Sequence, residues 1–174
     1  MFIKLWKILL FILLCLSICQ FIYGQTINNA LTFQALNGNN VSLTQYQGQV
    51  VIISFSAKGI PLTQFELPQL EKLAAKFAND KVSVIWVSTN SDRQKSSVFA
   101  SEQELEKIAK DYPHLTVLRD LDGNIFQKIG GNTLPTIFLL DQNGRMVGRC
   151  RAGIDPQANL ITDLTPTINK LLGR

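Results

Sequence analysis

The sequence predicts an α/β domain built on a central mixed β-sheet flanked by helices, and three observations predict it. Gln49 to Phe55 is a near-continuous apolar run, the signature of a strand buried on both faces of a parallel-type sheet. Val82 to Ser88 is a second such strand, and between the two lies a segment with apolar residues at helical spacing: Leu70, Leu73, Ala74 and Phe77. Thr136 to Leu140 and Met146 to Arg151 then form a hairpin across Asp141-Gln142-Asn143-Gly144, where Asn-Gly is a strong turn signal.

The remaining elements follow in order. Gln25 to Ala30 reads as a flexible lead. Leu31-Thr32-Phe33 and Val41-Ser42-Leu43 flank the turn-rich Asn37-Gly38-Asn39-Asn40, which predicts an N-terminal hairpin. Pro68 lies within the first helix and is expected to bend it. Ser91 to Lys110 begins as a polar loop and becomes a helix with Leu105, Ile108 and Ala109 on its buried side. Leu115 to Leu118 is a short strand or extended link, and Asp122-Gly123-Asn124 turns into a short helix carrying Ile125, Phe126 and Ile129, ended by Gly130-Gly131. Asp155-Pro156 starts a last helical segment, which Thr165-Pro166 is expected to restart as cap and first helical residue.

Residues 1–24 read as an export signal: Lys4 and Lys7 form a basic start, Ile8 to Ile18 is almost wholly apolar, and Tyr23-Gly24 offers a cleavage point before Gln25. An uncleaved anchor over residues 5–23 is the alternative, because Phe21, Ile22 and Tyr23 extend the apolar stretch. Its core falls short of the roughly 20 residues of a membrane span. A lipoprotein at Cys19 is disfavoured by Ile18, which stands where that signal wants a small residue. Residues 25–174 then form one domain of ordinary size. Removing the leader takes Lys4 and Lys7 from the 17 basic residues and none of the 13 acidic ones, so the charge is close to balanced. No basic run suggests nucleic acid, and Arg145, Arg149 and Arg151 read as exposed strand positions. Cys15 and Cys19 leave with the signal. Cys150 is then the only cysteine, and no intrachain disulfide can form.

The decisive stretch is Ser56-Ala57-Lys58-Gly59-Ile60-Pro61-Leu62-Thr63, between the first apolar strand and the helix carrying Glu66-Leu67-Pro68-Gln69-Leu70. That strand, loop and helix order resembles the thioredoxin-like redoxins of the TlpA-like, AhpC/TSA type, exported thiol–disulfide oxidoreductases. The whole element order fits their thioredoxin-like fold over roughly Leu31 to Leu172. In that family the loop normally reads Trp-Cys-Pro-X-Cys and the helix carries Glu-Leu-Pro-X-Leu. Aligned without a gap, the two cysteines fall on Ile60 and Thr63, while Pro61 keeps the intervening proline. A Cys-X-X-Cys at a helix start works because the helix N-terminus favours the thiolate and the second thiol resolves the mixed disulfide. Ile60 has no ionisable atom and Thr63 cannot form a disulfide. Thr63 reads instead as an N-cap, with Glu66 completing a capping box. Peroxiredoxins and glutathione peroxidases share the superfamily, but no cysteine lies between Ser54 and Glu66 to serve as a peroxidatic thiol.

The resemblance also identifies Asn132-Thr133-Leu134-Pro135-Thr136 as the family's cis-proline segment. It implies that Pro135 faces Ile60 and that the backbone of Leu134 can pair with an extended peptide, which needs no cysteine. Ile60, Pro61, Leu62, Leu134 and Pro135 are therefore the candidate binding groove, for a peptide or a protein partner. The alternative is that Ile60 and Leu62 pack into the protein's own core. Strand alternation places Cys150 with Met146, Gly148 and Ala152 on a small apolar face, so a buried, inert thiol is expected. Neighbouring Arg149 and Arg151 would activate it if it were exposed. His114, the only histidine, reads as a surface loop residue, and no metal site or cofactor is indicated. Asp120 and Asp122 lack the full oxygen series of a calcium loop and read as helix-start and turn residues. Trp86 reads as core. Three functions stay open: a binding protein without dithiol chemistry, an oxidoreductase acting through Cys150, and a structural subunit docking on an active redoxin.

Overall fold

The computed structural model describes residues 31–174; residues 1–24, read above as an export signal, and 25–30, read as a flexible lead, lie outside the described residues. Seven strands form one mixed sheet: β1 (Thr32–Ala35), β2 (Asn40–Ser42), β3 (Val50–Ser56), β4 (Val82–Ser88), β5 (Thr116–Arg119), β6 (Thr136–Leu140) and β7 (Arg151–Ala152). Their order across the sheet is β2-β1-β5-β4-β3-β6-β7. β3, β4 and β5 run parallel, while β6 lies antiparallel to β3, with Phe55 opposite Thr136. The helices are α1 (Thr63–Lys76), α2 (Glu102–Asp111), α3 (Asn124–Lys128) and α4 (Leu160–Leu171). This is the predicted thioredoxin-like α/β architecture, N-terminal hairpin included.

Each central strand divides its side chains between two cores. Val50, Ile52, Val84, Trp86, Ile137 and Leu139 face α1, α2 and α4, against Leu70, Leu73, Leu105, Leu164 and Ile168. Val51, Ile53, Phe55, Ile85, Val87 and Phe138 face the other way, against Phe33, Leu43 and Phe126 of α3. Phe55 anchors that second core, its ring centroid 5.9 Å from Phe33, 5.2 Å from Phe126 and 5.7 Å from Phe138. All seven residues of β3 are buried, as the apolar run predicts. Trp86 is core, also as predicted.

Three expectations are corrected. α1 begins after Leu62, and no side chain caps it. Thr63 is therefore not its N-cap, and Glu66 does not complete a capping box. The genuine capping box is at α2, where Ser101 and Glu104 bond each other's backbone N–H. α4 is one unbroken helix with Pro166 inside it, capped by Asn159 rather than restarted at Thr165. Pro166 leaves only the carbonyl of Thr162, an exposed residue, without its helical donor. Finally, the segment from Met146 to Cys150 is not strand: Met146 makes an isolated bridge to Leu140, Gly148 adopts φ 71°, and β7 is only two residues long.

Candidate functional site

The C-terminal ends of parallel strands in an α/β sheet open into loops, and that is where clefts form. Here the loops after β3 and β4 meet the start of β6, which is antiparallel and so begins at the same edge. The peptide bond Leu134–Pro135 is cis, as the resemblance implies. Leu134 is half-buried and Pro135 buried.

Two grooves flank the loop after β3. One, of 470 Å³, is walled by Ala57, Lys58 and Ile60 on one side, Val98 on another, and Phe126 and Leu134 on a third. The second, of 630 Å³, lies between the loop and the facing helices, with Thr63, Gln64 and Leu67 of α1 opposite Glu104 and Ile108 of α2. Lys58, Gly59 and Ile60 line both, so the loop is a ridge between them. Gly59, at φ 95°, takes a conformation only glycine adopts freely, which lets the ridge turn. Ile60 and Leu62 are half-buried and belong to neither core, so the packing alternative does not hold. Of the expected groove residues, Ile60 and Leu134 line the smaller groove together. Pro61, Leu62 and Pro135 line neither groove.

The charges that line the smaller groove, Lys58 and Asp122, are both paired. Lys58 bonds Glu104 of α2, and Arg93 bonds Asp122 at 3.1 Å. The Lys58 ammonium, then the Ser101 backbone N–H, hold the Glu104 carboxyl down at about 2. The smaller groove thus presents largely apolar walls and neutralised ends.

Beneath the ridge lies a polar cluster that sequence reasoning missed. β3 alternates, so Ser54 and Ser56 point to the α1 face, below the helix's first turn. Thr63 is buried there, its hydroxyl donating to the Ala57 carbonyl at 2.9 Å and sharing a hydrogen bond with Ser56 Oγ at 2.7 Å. Glu66, fully buried, accepts from Ser54. Burial pushes the Glu66 carboxyl up to about 7, against the opposing pull of Ser54, Ser56 and the Trp86 indole. The indole acts from nearby without meeting hydrogen-bond geometry: Glu66 Oε2 and Trp86 Nε1 both lack a partner. The available signal was Ser54 and Ser56, two hydroxyls on one face of an otherwise apolar strand.

Cys150 is exposed, contrary to the expectation of a buried thiol. The alternation argument fails because residues 146–150 are not extended strand, and Gly148 breaks the pleat. Cys150 lines neither groove. His114 is an exposed loop residue whose Nδ1 lies 2.5 Å from Glu71 Oε1. Asp120 serves a helix start as expected: its carboxylate accepts from Ile125 and Phe126 N–H in the first turn of α3, both at 2.8 Å, and fixes α3 against the groove. Burial raises its pKa. Among the described residues no cluster of histidine, cysteine or acidic side chains could hold a metal, and no helix is long and apolar enough to cross a membrane.

Comparison with known proteins agrees with this architecture. Residues 24–149 match the model of the AhpC/TSA family. The thiol-disulfide oxidoreductase ResA of Halalkalibacterium halodurans is 24% identical over 133 residues, which cover 76% of this chain and 70% of that protein. ResA of Geobacillus thermodenitrificans is 24% identical over 111 residues, covering 64% of this chain and 59% of that protein. A crystal structure from Chlorobium tepidum, provisionally named thiol:disulfide interchange protein DsbE, superposes with a TM-score of 0.70 at 22% identity, covering 87% of this chain and 98% of that one.

Proposed function

We propose that this chain, which belongs to the AhpC/TSA family, has lost dithiol chemistry and acts as an exported, non-catalytic protein that binds an extended peptide or a partner's loop. One observation carries the reading. The two positions that the resemblance aligns with the family's thiols hold Ile60, which lines an apolar groove, and Thr63, whose hydroxyl is buried and engaged. The loop keeps its placement beside Leu134 and has exchanged a reactive edge for an apolar one. Among the described residues, the backbone N–H and C=O of Leu134 have no hydrogen-bond partner. They can add an extended strand while the groove takes an apolar side chain. The basic and apolar pattern of residues 1–24 supports export.

The test is an NMR titration with the pentapeptide Gly-Val-Leu-Val-Gly, capped at both ends. The expected result is saturable shift changes at Lys58 to Ile60, Val98 and Leu134. Shifts confined to other surfaces, or none at millimolar peptide, reject the reading.

The exposure of Cys150 favours a second reading, a mixed disulfide formed through that thiol. It would place the chemistry outside both grooves. Mass spectrometry after incubation with oxidised glutathione, compared with the Cys150→Ser variant, tests it.

A further inference from the structure

Asn90 follows β4 and is fully buried, though nothing in the sequence marks it as more than a loop residue. Its amide makes four hydrogen bonds, the number its two lone pairs and two N–H groups allow. Oδ1 accepts from the Lys58 N–H at 2.7 Å and from the Ser88 hydroxyl at 2.9 Å. Nδ2 donates to the Lys58 carbonyl at 3.1 Å and to the Val98 carbonyl at 2.9 Å. The orientation of the amide follows from its partners, because turning it over would set oxygen against two carbonyls and nitrogen against an N–H.

The consequence is geometric. Lys58 belongs to the ridge and Val98 to the opposite wall, and both line the 470 Å³ groove. One buried amide grips both backbone groups of Lys58, as a neighbouring strand would, and ties the other wall to the same point. The remaining ties are separate for each wall. Thr89 bonds the Ser56 carbonyl behind the ridge, and Ser91 pairs with Val98 and Ala100 within the far loop. No other described side chain hydrogen-bonds to both walls.

We propose that Asn90 is the positioning residue that fixes the distance between Lys58 and Val98 and so sets the width of the groove, and with it which side chains enter. The inference rests on the reading of that groove as a binding site. Asn90 touches no ligand; it acts through the two backbones it holds.

The wild-type protein gives the first readout. The Lys58 amide should exchange with solvent at least about 100-fold more slowly than the neighbouring Gly59 amide, which has no partner among the described residues. Equal rates would overturn the proposal whatever any variant does. The second readout is the Asn90→Asp variant, which keeps the shape and presents oxygen to both carbonyls. Its shift changes should fall on residues 57–60 and 97–99 together and spare Leu70 and Leu73 in the core. Affinity for capped Gly-Val-Leu-Val-Gly should drop about tenfold, because part of the binding energy is then spent on ordering the released walls, while the larger analogue Gly-Phe-Leu-Phe-Gly should lose less. Shifts on one wall only, or unchanged relative affinity for the two peptides, would overturn the width-setting role. A wild-type protein that binds neither peptide rejects the binding reading, and amide exchange then still decides whether Asn90 clamps the loop.

Discussion

The Ser54 hydroxyl donates to Glu66 Oε1 at a point where both side chains are fully buried. The other carboxylate oxygen has no partner. A lone hydroxyl does not replace the water a carboxylate loses on burial, so the neutral acid is favoured in the folded state. The helix N-terminus at Thr63 favours the anion but does not outweigh desolvation. Because the folded pKa, about 7, lies above the ordinary 4.5, the native state binds a proton between those values that the unfolded chain has released. Stability should therefore fall as pH rises from 4.5 to 7 and level off beyond, by about 3 kcal/mol in all. Glu66→Gln should flatten that slope and raise the midpoint of denaturant unfolding at pH 8. An unchanged slope in urea titrations at pH 5, 6, 7 and 8 would show that Glu66 does not titrate there.

Disulfide reduction should be absent. Insulin turbidity with dithiothreitol should match the no-protein control, since neither Ile60 nor Thr63 supplies a thiolate or a resolving group. Turnover that persists in Cys150→Ser would have no thiol among residues 25–174 to explain it.

Cys150 should react quickly in the native state. Its exposure predicts stoichiometric labelling by an aromatic disulfide reagent without denaturant. Labelling that waits for urea would contradict the placement of residues 146–150.

Ile60→Cys with Thr63→Cys should restore an intraloop disulfide. The Thr63 N–H already bonds the Ile60 carbonyl at 3.0 Å, a turn that holds the two Cα atoms within about 7 Å. Replacing Thr63 removes its two buried hydrogen bonds, so the reduced double variant should be less stable than wild type by about 1–3 kcal/mol. Counting free thiols after mild oxidation decides the matter: two unbonded thiols in a folded protein would mean the loop alignment is wrong.

Gly131→Ala should damage the groove from behind. A Cβ at this position would stand 2.1 Å from Phe126 Cε2, far inside contact distance. The ring packs on Phe55 at 5.2 Å between centroids and can yield only toward the groove it lines. The expected cost is about 1–3 kcal/mol in thermal or urea unfolding, together with altered shifts at Phe126 and Leu134. A variant as stable as wild type would show that the Gly130-Gly131 turn moves freely.

The fold was legible because its signals are local and redundant. The run from Val50 to Phe55 cannot be exposed, Asn143-Gly144 fixes a turn, and Leu70, Leu73 and Phe77 keep a helical stripe. The site was legible only in outline. Sequence placed Ile60 beside Leu134 through a matched motif, but the cluster of Ser54, Thr63 and Glu66 depends on which face of β3 meets the first turn of α1. Thr63 and Glu66 have capping-box spacing, and only the packing shows that both side chains turn inward to Ser56 and Ser54. Cys150 was misplaced for the opposite reason: alternation was extended through Gly148, where the backbone leaves the sheet. Asn90 carried no signal, since a buried asparagine after a strand differs from an exposed one only in its distant partners, Lys58 and Val98.

Ile60 faces two neighbours at once, and genetics at that position will be ambiguous as a result. A substitution that abolishes function there cannot say which side of the ridge mattered, because the same side chain borders both hollows. Separate alleles are available on either flank: Val98, 49% exposed, touches only the smaller hollow, and Gln64 only the larger. Their phenotypes, alone and combined, would show whether the loop serves one occupant, two in competition, or a single partner that straddles it.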